Sequence, residues 1–348
     1  MKVYKTRQGE IASQLPTSLD IKRILLARSP NPSAKDKKEV YRLEAGEAGE
    51  EKVIEIFQEY GPGHWMGLQN LWLKNYGTFE IDFTLITNHC QYVIEIKNYK
   101  GDYTYKDGVS TVDDYIIPKN PIDQTRQAVS NMQNILNEFG KNIPVKGVLI
   151  FTGKDAEVSI QSPVEDITIL KVSQLKRFIQ KIIHEEQAHA YPPINKQSII
   201  DHIETHEVPH PYPPIPITRE KMTQLRRGIY CALCGNFELE FQKYYVKCKC
   251  GFEEPKEEAL VRSICEYGAL NFERHLYTNE IIEFLSGQVS YSYLQKILGQ
   301  HFEMVKNQRY TYYINKQLIY LKMFTQFKIK LPIIYQATRG RSIIHIFK

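Results

Sequence analysis

The sequence predicts an α/β fold over its first half, a mixed β-sheet flanked by helices, followed by a small cysteine ribbon and a helical C-terminal module. Three observations carry this. Residues 80–87 and 90–97 are β-rich runs of strand length separated by the polar pair Asn88-His89, the pattern of a hairpin. Residues 145–151 form a short continuous apolar run, as expected of a strand buried on both faces. Four of the six cysteines bunch as Cys231-x-x-Cys234 and Cys248-x-Cys250, each pair followed by glycine.

In chain order, residues 1–38 read as an N-terminal extension with a short helix near 21–27 and a charge run at 35–39, and no functional role is assigned to them. Residues 39–60 predict a helix with Val53, Ile56 and Phe57 on one side and Glu50 at the edge of that face. It contains Gly46 and Gly49, each costing about 1 kcal/mol against alanine in a helix interior, which makes sense where a neighbouring backbone or a carboxylate must come close. Residues 64–73 predict a strand that leads through a turn at 74–77 into the hairpin. A turn at 98–102 and an alternating strand at 103–105 follow. Pro121 opens a helix to about 139 with an apolar stripe of Ala128, Met132, Ile135 and Leu136, and Gln124 lies near its start. Strands at 145–151 and 167–170 and a helix from Ser173 to about 183 complete the layer, an order that gives a mixed sheet between helices.

Pairing across an Asn88-His89 turn sets Asp82 opposite Glu95 and Glu80 opposite Lys97. Strict alternation then puts these four on one face and Ile81, Phe83, Leu85, Tyr92, Ile94 and Ile96 on the other. Acids paired in mid-sheet repel unless a cation joins them. Oxygen-only ligands suit Mg²⁺ or Mn²⁺, and a lysine two residues from a ligating Glu can orient an attacking water or offset developing charge. The competing reading is a solvated face with cross-strand salt bridges, Glu80 to Lys97 being the obvious pair.

Gly49-Glu50, Glu80-Ile81-Asp82, Glu95-Ile96-Lys97-Asn98-Tyr99-Lys100-Gly101 and Asn120-Pro121 with Gln124 together resemble the NERD (nuclease-related) domain, a branch of the PD-(D/E)xK nuclease superfamily, over roughly residues 44–183. The resemblance implies a restriction-endonuclease-like sheet, Asp82 and Glu95 as ligands of a divalent metal with help from Glu50, Lys97 assisting the attacking water, and Gln124 supporting the site.

The remainder is read from its residues. Residues 190–218 form a proline-rich linker whose two proline clusters are extended and semi-rigid, with a helix at 198–206 between them, and His202, His206 and His210 read as exposed. Cys231, Cys234, Cys248 and Cys250 have the spacing of a zinc ribbon at 219–254, a closed four-thiolate structural site. Residues 255–316 give helix, helix, short turn, helix and hairpin, which resembles a winged helix. Its 290–298 helix would carry Tyr291, Tyr293 and Lys296 toward nucleic acid, and Lys306 and Arg309 would lie at the wing; a protein-contacting role for this module is the alternative. Residues 317–348 form a basic tail. From His301 onward nine Lys/Arg stand against one acid, so this end carries +8 of a net +5 chain, and a polyanion partner is expected. No run approaches the roughly 18 apolar residues of a membrane span, and the residues before Asp20 lack an apolar signal core, so a cytoplasmic protein without membrane partners is expected. These features point to a metal-dependent nuclease acting on DNA. The alternative is a non-catalytic nucleic-acid-binding or scaffold protein built on the same core.

Overall fold

The computed structural model describes residues 1–4, 6, 16–140, 143–188, 192–307 and 310–315. In chain order the elements are β1 (Lys2–Tyr4), α1 (Ser18–Arg28), α2 (Ala34–Tyr60), β2 (Met66–Asn75), β3 (Gly77–Ile86), β4 (Gln91–Lys97), β5 (Tyr103–Lys106), β6 (Val109–Val112), β7 (Tyr115–Ile116), α3 (Pro121–Glu138), β8 (Val145–Phe151), β9 (Val158–Ile160) and β10 (Ile167–Lys171). Then come α4 (Leu175–Ala188), α5 (Lys196–Thr205), α6 (Arg219–Thr223), β11 (Leu239–Phe241), β12 (Tyr245–Cys248), β13 (Glu253–Pro255), α7 (Lys256–Leu270), α8 (Thr278–Phe284), α9 (Tyr291–His301), β14 (Met304–Asn307) and β15 (Tyr310–Tyr313). The chain divides into two compact units, one of residues 1–12 and 41–212, the other of 13–40 and 213–348.

The first unit is the expected mixed sheet flanked by helices. Its six strands run in the order β1-β2-β3-β4-β8-β10. The central β2-β3-β4 meander is antiparallel, whereas β1, β8 and β10 pair in parallel with their neighbours. One face is closed by α2 and α4, whose Val53, Phe57, Leu175, Phe178 and Ile179 pack on Phe83, Leu85, Ile94 and Val148. The other is closed by α3 and α5, whose Met132, Ile135, Ile199 and Ile203 pack on Leu71, Ile81 and Val93. A second sheet, β7-β6-β5-β9, branches off after β4.

Local chemistry explains the element ends. Asn120 accepts the Ile122 N–H at 3.0 Å with Pro121 in the first turn of α3, where a missing N–H costs nothing. α2 starts five residues before the expected 39 because Ser33 and Asp36 cap it reciprocally: the Ser33 N–H donates to Asp36 Oδ2 at 3.2 Å and the Asp36 N–H to Ser33 Oγ at 3.1 Å. The charge run at 35–39 is thus the solvated first turns of that helix. β1, three residues long, has no periodicity to betray it.

The 190–218 stretch is more firmly held than its prolines suggest. α5 buries Ile199, Ile200 and Ile203, and His202 and His206 are half-buried rather than exposed, His202 stacking on Phe139 at 4.9 Å. Only His210 is exposed as expected.

In the second unit, α1 contributes Ile21 and Ile24 to a core shared with α7, α8 and α9. Beneath it lies a buried charge network. Arg28 Nη2 meets Glu266 Oε2 at 2.7 Å, Arg262 Nη2 meets Glu254 Oε2 at 2.9 Å, and the Tyr230 hydroxyl donates to Glu266 at 2.6 Å. β11, β12 and β13 form an antiparallel three-stranded sheet. After α7, the order α8, α9, β14, β15 follows, with β14 and β15 paired from Met304–Tyr313 to Asn307–Tyr310.

Candidate active site

The site forms where the β3-β4 hairpin stops being a ladder. The expected register holds near the turn: Ile86 pairs with Gln91, Leu85 with Tyr92 and Phe83 with Ile94, and the Thr87 N–H donates to the Cys90 carbonyl at 3.0 Å across Asn88-His89. Neither Asn88 nor His89 has a positive φ. Beyond Phe83 and Ile94 the strands part. The Ile96 N–H, which a continuing ladder would give to a β3 carbonyl, donates instead to Asp82 Oδ2 at 2.8 Å. Asp82 is therefore drawn into the gap between the strands.

The strict alternation expected of β3 fails at the same point. Ile81 packs in the α3 core with Leu71 and Val93, while Phe83 and Leu85 pack in the α2 core with Phe57 and Trp65. On β2, Asn70 sits between the Gln69–Phe83 and Leu71–Ile81 pairs, across from Asp82, with φ +54°. A left-handed residue, tolerated by Asn, turns both strands there and flips which face each residue serves.

Around Asp82 gather four further charged side chains. Glu95, 8% exposed, pairs directly with Lys97 through Oε1. Lys97 thus takes Glu95 as its partner rather than Glu80, the salt bridge weighed from sequence. Burial holds the Asp82 carboxyl well above the usual carboxylate range, reinforced by the Glu95 and Glu50 charges. Burial, then the Glu80 and Glu47 charges, push Glu50 up to about 7. Glu80, exposed at the rim of the cluster, is likewise raised, by partial desolvation and by Glu95. Burial disfavours the Lys97 ammonium, yet Glu95, with help from Asp82, outweighs it and raises its pKa. Lys97, with Lys119 acting on Glu80, thus offsets a cluster of four acids, Glu50, Glu80, Asp82 and Glu95, and an added dication would relieve the remaining repulsion. These carboxylates meet the donor chemistry of a hard cation that keeps several waters.

α2 reaches this cluster through Gly49. A Cβ there would lie 2.6 Å from Thr152 Oγ1 and 3.1 Å from Asn98 Cβ, so only glycine lets the helix press against the end of β4, whereas Gly46 has open space. Asn98 fastens the approach by donating to the Ala45 carbonyl at 2.6 Å, and the Thr152 N–H donates to the Lys97 carbonyl at 2.9 Å. Asn98 and Thr152 hold Glu50 and Lys97 in place, and Thr152 carried no sequence signal. Gly101 has a similar reason, since a Cβ would meet the Asp113 carboxylate, which accepts the Asp102 N–H at 2.8 Å. Gln124 is half-buried in the first turn of α3, and its side chain makes no hydrogen bond to Asp82, Glu95 or Lys97.

Residues 45–152 match the family model of the nuclease-related domain, NERD. They are a nuclease-related domain. The NERD match spans α2 to the end of β8 and takes in Glu50, Asp82, Glu95, Lys97 and Gln124, under a third of the chain in all. Comparison with curated proteins and with solved structures gave no match.

Outside the NERD domain, Cys231, Cys234, Cys248 and Cys250 bring their four sulfurs within 4.8 Å of one another. Among the described residues this is the one group of His, Cys, Asp and Glu donors to converge so closely; the carboxylates do not. The Cys231–Cys250 and Cys234–Cys248 sulfurs are 3.7 and 3.5 Å apart, close to the roughly 3.8 Å separating thiolates on a tetrahedral zinc with bonds of about 2.3 Å. Both knuckles close alike. The Gly235 N–H donates to the Cys231 carbonyl and the Gly251 N–H to the Cys248 carbonyl, each at 2.9 Å, with both glycines at positive φ. The shorter Cys-x-Cys pair therefore turns as well as Cys-x-x-Cys, and the cluster fits a small zinc ribbon.

Lys296 on α9 and Lys306 on β14 are exposed, Tyr291 is 48% exposed, and Tyr293 is half-buried against the core of this unit. Arg309 and residues 317–348 lie outside the described residues. Among the described residues no helix is long and apolar enough to cross a membrane.

Proposed function

We propose that this protein is a metal-dependent nuclease that hydrolyses phosphodiester bonds, with DNA as the substrate. The observation that carries the reading is the gathering of Asp82, Glu95, Lys97 and Glu50 at the point where β3 and β4 part, within a nuclease-related domain. Asp82 and Glu95, with Glu50, would hold Mg²⁺ or Mn²⁺. When bound, the ion would supply charge for the scissile phosphate and lower the pKa of a water. Lys97, held by Glu95, is a cation positioned to orient that water and to offset charge developing on the phosphate. The Asn98 and Thr152 contacts keep Lys97 and Glu50 in register, and Gln124 would support the site from α3. The four-cysteine ribbon would hold a structural Zn²⁺, and the α7-to-β15 module, with Lys296, Lys306 and Arg309, would bring further phosphate contacts as a winged helix.

The test is cleavage of single-stranded, duplex and branched DNA, and of RNA, by the full chain in Mg²⁺ and in Mn²⁺, with Lys97→Ala alongside. Cleavage by the wild type that Lys97→Ala loses while keeping its circular dichroism is the expected result. A wild type that cuts nothing on the panel refutes the nuclease reading.

A further inference from the structure

A cluster of aromatic side chains beside the carboxylates is not used by the chemistry above. Trp72, on β2, pairs across the ladder with Glu80, and Glu80 lies within electrostatic reach of Glu95 and Lys97. Cross-strand neighbours stand about 5 Å apart, so Trp72 is one residue step from the acidic cluster. Against it pack two rings from the proline-rich stretch, His210 with its centroid 5.0 Å from Trp72 and Tyr212 at 6.4 Å. Trp72 is half-buried, but His210 is exposed and Tyr212 is 74% exposed.

The backbone holds these rings where they are. The Lys74 N–H donates to the His206 carbonyl at 2.9 Å, the Val208 N–H to the Trp72 carbonyl at 2.8 Å, and Leu73 bridges Glu207, so the chain before His210 is stitched to β2. Pro209, Pro211 and Pro213 alternate with the rings and fix φ at every other residue. The Tyr212 N–H donates to His210 Nδ1 at 3.0 Å. Exposed rings presented on a stiffened backbone lose little freedom when they bind something. Lys74, exposed and two residues from Trp72, lies on the same face of the strand and adds a cation.

We propose that Trp72, His210 and Tyr212 form a stacking platform for unpaired bases, so that the strand delivered to the Asp82–Glu95–Lys97 site is single-stranded. Flat rings engage bases only where these are not already stacked in a duplex, each such contact being worth about 1–3 kcal/mol, while a nearby lysine follows the phosphates. The platform deepens the nuclease reading and rests on it for the identity of the ligand. The sugar is not specified by stacking, so unpaired DNA and RNA are both in the class.

The experiment is a binding titration of the full chain in buffer without Mg²⁺ or Mn²⁺ and without chelator, which withholds the cation that cleavage needs and leaves the ribbon's zinc in place, with oligothymidylate, oligouridylate and a blunt DNA duplex of the same length. Tryptophan fluorescence, to which Trp65 and Trp72 both contribute, and anisotropy of the labelled oligonucleotides report binding. The expected result is that Tyr212→Ala weakens single-strand binding about 5- to 150-fold, leaves duplex binding within about twofold, and is rescued by Tyr212→Phe. His210→Ala should weaken it in the same direction. Tyr212 is largely exposed, so the variant should keep the wild-type circular dichroism. A Tyr212→Ala protein that binds every ligand as the wild type does overturns the platform, as does an equal loss for duplex and single strands. Tyr212-dependent binding in a protein that cuts nothing would leave the platform standing and remove the nuclease reading; the converse separates them the other way.

Discussion

Glu50→Gln should stabilise the cation-free protein at pH 8 and weaken its response to Mg²⁺ or Mn²⁺. The Glu50 carboxyl titrates at about 7, against an ordinary 4.5, because burial and then the Glu80 and Glu47 charges disfavour its ionised form. Between pH 4.5 and 7 the unfolded chain therefore releases a proton that the folded chain keeps. For an acid shifted upward, stability falls as pH rises through this window, and the deficit is complete above about 7. At about 1.4 kcal/mol per unit the deficit is on the order of 3 kcal/mol, an upper bound for this half-buried group. Glutamine keeps the shape and removes the charge. The readout is urea denaturation followed by tryptophan fluorescence, since Trp65 and Trp72 are the chain's two tryptophans and both lie in the first unit. The expected gain in the variant is about 1–3 kcal/mol at pH 8, shrinking toward zero at pH 4.5, and divalent cation should stabilise the wild type more than the variant. A gain independent of pH, or a loss at pH 8, would refute the account of Glu50 as a buried charge held in reserve for a cation.

Other outcomes follow from single contacts. Gly49→Ala drives a Cβ toward Thr152 Oγ1, 2.6 Å away, and should lower stability by about 1–3 kcal/mol; Thr152→Ala in the same chain should recover part of that loss, which urea denaturation measures. Cys231→Ser should abolish stoichiometric zinc measured by mass spectrometry and expose residues 231–250 to protease, whereas Cys265→Ser, at a buried thiol outside the cluster, should leave the zinc in place. Arg262→Met strands the Glu254 carboxylate in the second-unit core and leaves Glu266 to Arg28 and Tyr230, and a loss on the order of 3–5 kcal/mol is expected, visible as a lower thermal midpoint by circular dichroism.

The sheet was legible in the sequence because its hairpin turn is short and its strands are rich in β-branched and aromatic residues, so the Phe83–Ile94 register follows from Asn88-His89 alone. The acids, the lysine and the four cysteines were legible because spacing on a strand or knuckle fixes which residues can meet. What escaped was set by contacts distant in sequence. β1 is too short to show a period and is defined by its pairing with β2. The capping pair Ser33–Asp36 lay hidden in what reads as a loop and a charge run. The His210–Tyr212 segment reads as a spacer until Val208 and Lys74 are seen to tie it to β2. Thr152 has no pattern at all, since its role is to fill the space a Gly49 side chain would need.

The rule that failed most informatively is alternation along β3. Period two assumes a continuous ladder, and the ladder ends at Phe83. Had it continued, the Ile96 N–H would have paired with a backbone carbonyl, and Asp82 would have stood out from a flat face beside Glu80. Ending it leaves one buried N–H in need of an acceptor, and Asp82 supplies it at 2.8 Å, which fixes one carboxylate oxygen and leaves the other uncommitted. The same parting makes room for Glu50 and for the Glu95–Lys97 pair at the end of β4. A sheet that kept its ladder throughout would give the Ile96 N–H a backbone acceptor and would not draw Asp82 between the strands. The local violation therefore coincides with the candidate site, as expected where function rather than folding selects the geometry. It also locates the sensitivity: restoring a regular strand, for instance with Asn70→Val across from Asp82 at the φ +54° position, would set a β-branched residue in a backbone conformation that disfavours it. Either the fold loses stability or β2 straightens. In the second case Asp82 is withdrawn from Ile96, and any cation dependence of thermal stability should fall while the hydrophobic cores on both faces stay intact.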